Sequence, residues 1–242
     1  MDELIVVGVI VVAALAASTL AAVAGFGGAA IMLPVLVWAV GVRDAVPLLT
    51  IAQLMGNLSR VWFNRSELSL PVVKRFALGA VPAAAIGGVV FATAPADALV
   101  RVLGVFLLLT VGYRHSPWGK NTKIGLNGFL PLGTASGLIS AIVGVVGPFM
   151  APFFLAYGLV RGAYIGTEAL ATVVMHVVKL GVYGGFELIS LGILLLGLAI
   201  GAVMFLGSYI GKRILSKMPD KSFPYVIEAV LIVAGLKFVI WG

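Results

Sequence analysis

Long apolar runs alternate with short polar breaks along the whole chain. Ten apolar segments can be separated, near residues 4–24, 29–41, 45–63, 70–93, 97–113, 124–143, 148–159, 163–185, 188–210 and 223–241. Eight of them are close to 20 residues long, the length at which a helix rising about 1.5 Å per residue crosses the hydrocarbon core. Strands of a membrane barrel would instead alternate in segments of about ten residues. The pattern predicts an all-α integral membrane protein.

Two of the ten segments, 29–41 and 148–159, are too short to span comfortably. Each follows a glycine-rich break, with Gly25, Gly27 and Gly28 before the first and Gly144 and Gly147 before the second. We expect a short broken or re-entrant helix at each of these places, because glycine interrupts a helix and leaves backbone groups that lipid cannot satisfy. Whether each short segment spans or turns back is left open by the sequence.

The two short segments belong to an internal repeat. A shift of 118 residues places Ser18 on Ser136 and Pro34 on Pro152, and one added residue then places Asn57 on His176 and Arg60 on Lys179. The chain is therefore interpreted as one transmembrane domain, 1–242, in which a linker at 115–123 joins a first repeat, 1–114, to a second, 124–242.

Loop charges predict how the repeats face each other. The loop after the third segment is basic in the first half and acidic in the second, whereas the loop after the fourth segment is basic only in the second half. With the basic linker inside, the positive-inside rule places both termini outside the cytoplasm. Five segments per repeat, an odd number, then require inverted topology. We expect a multi-pass protein of the cytoplasmic membrane.

Composition agrees with this class and narrows the function. Hydrophobic residues make up 62% of the chain and charged residues 10%, against roughly 45–50% and 25% in soluble domains. The net charge of +7 lies mostly in loops, where it sets orientation, so no nucleic-acid partner is expected. The absence of cysteine excludes disulfides and thiolate metal sites.

No enzyme motif is present in the sequence. HExxH, G-x-S-x-G and G-x-x-x-x-G-K-[ST] are all missing, and two histidines are too few for a metal cluster. We therefore expect no catalytic residue, no cofactor and no metal. Without a nucleotide-binding domain in this sequence, pumping would need an ion gradient or a separate subunit.

The two breaks are candidate anion sites. A helix that begins inside the membrane presents unpaired N–H groups and the positive end of its dipole. Inverted repeats with such broken helices are typical of secondary transporters. We assign the breaks to substrate binding, with the residues Gly25, Phe26, Gly27, Gly28, Gly144, Gly147 and Pro148. Helix packing is the alternative for these glycines, and it is preferred for Gly79, Gly87, Gly88, Gly197 and Gly201.

Polar residues at membrane depth are the second indication of a site, because they are costly there. Asn57 and Arg60 lie on one helical face, as do His176 and Lys179, and the repeat places these faces opposite each other. We include these four residues and Gln53 in the substrate site. The alternatives are snorkelling for the two cations and interhelical hydrogen bonding for the others. Glu168 is either a proton-coupling group or an ordinary acid in a first helical turn.

The stretch "AAVAGFGGAAIMLPVLVWAVGV", with its weaker echo "GVVGPFMAPFFLAYGL", resembles the sulfite exporter TauE/SafE family of membrane permeases. The resemblance implies two repeats with a glycine-rich break and a short helix in each. It also implies transport of sulfite, or of an organosulfonate such as sulfoacetate. Ala29 and the sequence from Gly144 to Pro148 depart from the family pattern, so the substrate within the family is left open.

The sequence thus predicts a secondary transporter that exports a small sulfur-containing oxyanion by alternating access. Its partners would be that anion, the lipid bilayer and either a proton or a counter-ion. Two alternatives are a passive anion channel on the same scaffold and a membrane assembly subunit that transports nothing. The sequence gives no oligomeric state.

Overall fold

The computed structural model describes residues 3–24, 28–116 and 123–214, with residues 232, 236, 239 and 240 near the C-terminus. Within these residues the regular structure is helical. A 3₁₀ turn at Leu126–Gly128 precedes the fifth of eight α-helices, which are α1 (Glu3–Ala24), α2 (Gly28–Phe63), α3 (Leu70–Thr93), α4 (Ala96–His115), α5 (Phe129–Val143), α6 (Gly147–Ala156), α7 (Arg161–Gly185) and α8 (Leu191–Ile214). The all-α class predicted from the sequence is confirmed.

Among the described residues, seven helical segments are long and apolar enough to cross a membrane, and α6 is the short exception. These spans follow the predicted segments within a few residues, apart from the segment at 223–241 and the centre of the linker, which lie outside the described residues. Many of their leucine, isoleucine and valine side chains are exposed on the protein surface, as lipid contact requires. The chain is a multi-pass membrane protein.

Helix α2 contains the predicted second and third segments without a loop between them. The only non-helical residue inside it is Gly41, whose φ of 77° and ψ of 163° turn the chain. A residue with a Cβ is strained at this φ, so glycine is required. Pro34 and Pro47 on either side also lack the N–H that a continuous helix would use. The predicted loop between the segments is therefore a one-residue break.

Helices that pack together have counterparts in the predicted repeat that also pack together. α3 packs along α5, and their counterparts in the predicted repeat, α8 and α1, also pack together. The second part of α2 packs on α8, and its counterpart α7 packs on α3. This pattern is what an internal two-fold relation produces. The inversion of the repeats across a membrane stays a prediction.

Glycines bring the paired helices close together. A Cβ added at Gly133 would collide with the carbonyl oxygen of Phe76, and one at Gly211 would lie 2.6 Å from the oxygen of Thr19. Cβ atoms at the glycines assigned to packing would likewise meet neighbouring helices, at Gly79, Gly87, Gly88, Gly197 and Gly201. The packing prediction for these five glycines is confirmed.

We expect Gly133→Ala to lower the melting temperature by about 5 °C, because a methyl group overpacks the α3–α5 interface by about 1–3 kcal/mol. Gly181→Ala is the matched control, since nothing lies within 4 Å of the added Cβ and alanine favours the helix. Thermal unfolding of the purified proteins in detergent measures both. Equal melting temperatures for the two variants would contradict the close packing.

Candidate functional site

The beginnings of α2 and α6 open on one polar cavity in the middle of the fold. Its volume is about 30 Å³. This is room for about two water-sized groups. The lining comes from α1, α2, α5, α6 and α7 and the break before α6, and consists of Ala21, Gly28, Ala29, Gln53, Asn57, Arg60, Ser140, Gly144, Val146, Gly147, Pro148, Glu168, Thr172 and His176.

The break before α6 is built by glycine and proline. Gly144 ends α5 in the left-handed conformation, with φ of 85°. Its N–H donates to the main-chain carbonyl oxygen of Ser140 at 2.9 Å. α6 then begins at Gly147, with Pro148 in its first turn and no side-chain cap on its N-terminus. Uncapped helix starts carry partial positive charge. Both α2 and α6 contribute their first residue, Gly28 and Gly147, to the cavity wall.

Two amide side chains present unsatisfied donors at this cavity. Gln53 is 5% exposed and Asn57 is fully buried, yet neither the Nε2 atom of Gln53 nor the Nδ2 atom of Asn57 has a hydrogen-bond partner among the described residues. A buried donor without a partner costs about 1–3 kcal/mol. Both residues line the cavity, so a hydrogen-bond acceptor in the cavity is the partner that these amides lack.

Arg60 and Glu168 form a buried ion pair across the cavity. Nη1 of Arg60 lies 3.5 Å from Oε2 of Glu168, and Nη2 of Arg60 donates to Oδ1 of Asn57. Thr172 donates to Oε1 of Glu168 at 3.3 Å. Arg60 and Glu168 are 7% and 2% exposed, so Arg60 does not snorkel to the protein surface. Because α7 has no acid in its first turn, the first-turn interpretation of Glu168 is wrong.

Lys179 is a buried lysine with no carboxylate partner among the described residues. Its side chain is fully buried, and among the described residues its Nζ atom contacts only the hydroxyl of Ser140, at 3.3 Å. Ser140 is part of the cavity wall, whereas Lys179 stands one hydroxyl behind it. The structure therefore excludes snorkelling for Lys179 as well. A buried ammonium group of this kind is stabilised when an anion approaches it.

His176 completes the polar stripe of α7 along the cavity. It is 3% exposed, and its Nδ1 atom has no hydrogen-bond partner in the described part of the chain. Thr172, His176 and Lys179 follow each other at intervals of three or four residues, so they lie on one helical face together with Glu168.

Most of the residues assigned to the site from the sequence meet at this cavity. Gln53, Asn57, Arg60, Glu168 and His176 line it together with Gly28, Gly144, Gly147 and Pro148. Gly25, Phe26 and Gly27 lie outside the described residues. That these residues bind a substrate stays a prediction.

Sequence reasoning did not assign Ala21, Ala29, Ser140, Val146 or Thr172 to the site. The repeat register offered a signal for Thr172, because the shift of 119 residues that places Asn57 on His176 also places Gln53 on Thr172. Helical spacing offered another, since Thr172 lies midway between Glu168 and His176. Ser140 carried no such signal, because serine is an ordinary residue at helix contacts in membranes.

The family model described as "Sulfite exporter TauE/SafE" matches residues 10–238, nearly the whole chain. Comparisons with curated proteins and with solved structures gave no match. The match covers both candidate broken helices and every residue of the cavity wall.

Proposed function

The chain belongs to the sulfite exporter TauE/SafE family, and we propose that it is a secondary transporter exporting a small sulfur-containing oxyanion through the cavity between α2 and α6. The family supports a membrane permease for sulfite or a related sulfur anion. The cavity supports the finer statement about where the anion binds.

One observation carries the proposal, the set of donors left without acceptors around this cavity. The amide nitrogens of Gln53 and Asn57 have no partner in the described residues, and Lys179 has only a hydroxyl. An oxyanion has several oxygens that accept hydrogen bonds, so it can satisfy these donors together. The positive starts of α2 and α6 add to the same preference.

The size of the cavity favours a compact substrate. About 30 Å³ of space admits a small ion, whereas a large organic anion would require the helices to move apart. Tyr183, one turn after Lys179, donates to the Ala141 oxygen at 2.5 Å and packs on Phe91 with ring centroids 5.2 Å apart. Lys179 itself is fully buried, so access of an anion to it requires a conformational change.

Packed helix pairs in one half correspond to packed pairs in the other, and this correspondence supports alternating access as the conformational change. If the halves are inverted repeats, one packing arrangement opens the site to one side and its exchanged counterpart opens it to the other. Gly41 and the segment from Gly144 to Val146 are the backbone breaks next to which the helices would move.

We expect sulfite to raise the melting temperature of the purified protein by several degrees, because a ligand at 100 times its Kd stabilises the native state by about 2.7 kcal/mol. A thermal-shift series with sulfite, sulfate, thiosulfate, sulfoacetate and taurine measures this, with chloride at equal ionic strength as the control. Sulfite uptake or release in reconstituted vesicles should then saturate.

Three outcomes would contradict the proposal. Currents that never saturate in a planar bilayer would indicate a passive anion channel. The absence of both a thermal shift and a flux for every anion would indicate a structural subunit. A shift with taurine and with none of the oxyanions would indicate that the cavity is built for a zwitterion.

A further inference from the structure

Basic side chains outnumber acidic ones at the cavity. Arg60 lines it and Lys179 stands behind Ser140, so two cations face the site, whereas Glu168 is the one carboxylate among the described lining residues. All three side chains are buried. When His176 is neutral and Lys179 is protonated, Arg60, Lys179 and Glu168 together carry one net positive charge, which a bound anion can balance.

We propose that Glu168 sets the charge of the transported ion, so that the site accepts singly charged oxyanions in preference to doubly charged ones. Hydrogen sulfite and simple sulfonates belong to the favoured class. Sulfate belongs to the disfavoured class, as does sulfoacetate, which carries both a sulfonate and a carboxylate. This inference rests on the proposed function of the same cavity.

Charge balance in a buried site is the physical reason. A singly charged anion neutralises the excess cation, so every charge in the loaded cavity has a partner. A doubly charged anion leaves one negative charge unpaired in a medium of low dielectric constant, where an unpaired charge is strongly unfavourable. That anion would also lie beside the Glu168 carboxylate, which is already 3.5 Å from Arg60.

The described groups that face Glu168 include no second carboxylate that could take over its role. From α2 the facing groups are Arg60 and, through it, Asn57. On α7 itself Thr172 donates to Glu168 at 3.3 Å, and Tyr164 and His176 stand one and two turns away. The described lining residues from α1, α5 and α6 carry no ionisable side chain. Glu168 is thus the group whose removal should change the preferred valence.

Sulfate and methanesulfonate form a matched pair of probes, because both present sulfonyl oxygens on tetrahedral sulfur and they differ by one charge. Apparent Kd values are measured by thermal shift of the purified full chain at about pH 7, where hydrogen sulfite is still present and most free imidazole is neutral. Competition with sulfite transport in vesicles gives a second measure. We expect the wild type to bind methanesulfonate at least tenfold more tightly than sulfate.

Glu168→Gln should lower this preference at least tenfold, or reverse it, because it removes the negative charge and keeps the shape. Glu67→Gln makes the same chemical change on an exposed loop residue and should leave the preference unchanged. Glu168→Asp keeps the charge and should keep the preference for methanesulfonate.

A wild type that binds sulfate as tightly as methanesulfonate would overturn this inference even if Glu168→Gln failed to fold. An unchanged ratio in a folded Glu168→Gln variant would overturn it as well. In both cases sulfite binding by the wild type would leave the proposed function standing. If the wild type binds neither probe nor sulfite, the proposed function itself fails, and the valence inference fails with it.

Discussion

Replacement of Lys179 by methionine is expected to abolish efficient sulfite transport while leaving the ligand-free protein at least as stable as the wild type. In the part of the chain that the structure describes, the buried amine has only the Ser140 hydroxyl as a hydrogen-bond partner. An apolar side chain of similar length removes the cost of burying that charge, which is often neutral or stabilising by about 1–4 kcal/mol. The bound anion, in contrast, loses a counter-charge.

The loss of transport should be large because a desolvated charge contact is removed. Truncating one partner of such a pair costs about 2 kcal/mol or more, which corresponds to a fall of about 30-fold or more in kcat/KM. Flux in reconstituted vesicles and thermal unfolding in detergent measure the two effects separately. Lys74→Met, at an exposed position on α3, is the control and should change neither quantity substantially.

The combination of lost transport and retained stability distinguishes a binding lysine from a structural one. A structural lysine would lower the melting temperature when replaced, with transport falling only in proportion to the folded fraction. Wild-type flux in the Lys179→Met variant would remove Lys179 from the site.

Replacement of Arg60 by methionine is expected to have the opposite effect on stability. It leaves Glu168 buried without its cation, and breaking a buried pair in this way costs about 3–5 kcal/mol. It also removes the contact to Asn57. We therefore expect a markedly lower melting temperature together with the loss of sulfite transport, measured by thermal unfolding and by vesicle flux.

The double variant Arg60→Met with Glu168→Gln separates the two effects. Both charges are then absent, so we expect most of the lost stability to return, while transport stays defective because the anion has lost Arg60. A double-mutant cycle on the free energies of unfolding measures the coupling between Arg60 and Glu168. Additive effects of the two substitutions would show that the ion pair does not hold α2 and α7 together.

These two lysine and arginine predictions follow from an asymmetry between the halves. The repeat places Arg60 on Lys179, but the register that aligns them puts Leu49 opposite Glu168, so only Arg60 has a carboxylate. Arg60 and Lys179 therefore occupy equivalent positions in the repeat but differ in their electrostatic environment. That difference makes the stability effects opposite in sign, although both substitutions should stop transport.

Much of the fold could be predicted because a membrane imposes a simple rule on the sequence. Backbone groups must be satisfied within each segment, so runs of about 20 apolar residues become helices. Gly41 is a place where this rule is not sufficient. Hydropathy indicates that segments end near this residue, but it does not show whether a loop or a single positive φ connects them.

The site could be predicted in part for a related reason. Polar residues in an apolar helix are conspicuous, and helical spacing alone placed Asn57 beside Arg60, which the structure shows as a direct contact. The partner of Glu168 could not be found in this way. It lies 108 residues earlier in the chain on another helix, and local spacing carries no information about such a contact.

The sequence by itself therefore determined the all-helical membrane class, the glycine break before α6 and most of the residues that line the polar cavity. These features depend on local physics, namely apolar length, glycine breaks and the cost of polar groups in lipid. Only the tertiary structure decided that Glu168 pairs with Arg60 and that Ser140 and Thr172 line the cavity. It also decided that Lys179 has a hydroxyl partner and no carboxylate among the described residues. Those facts depend on how helices from the two halves pack against each other, and packing brings together residues that no periodicity connects.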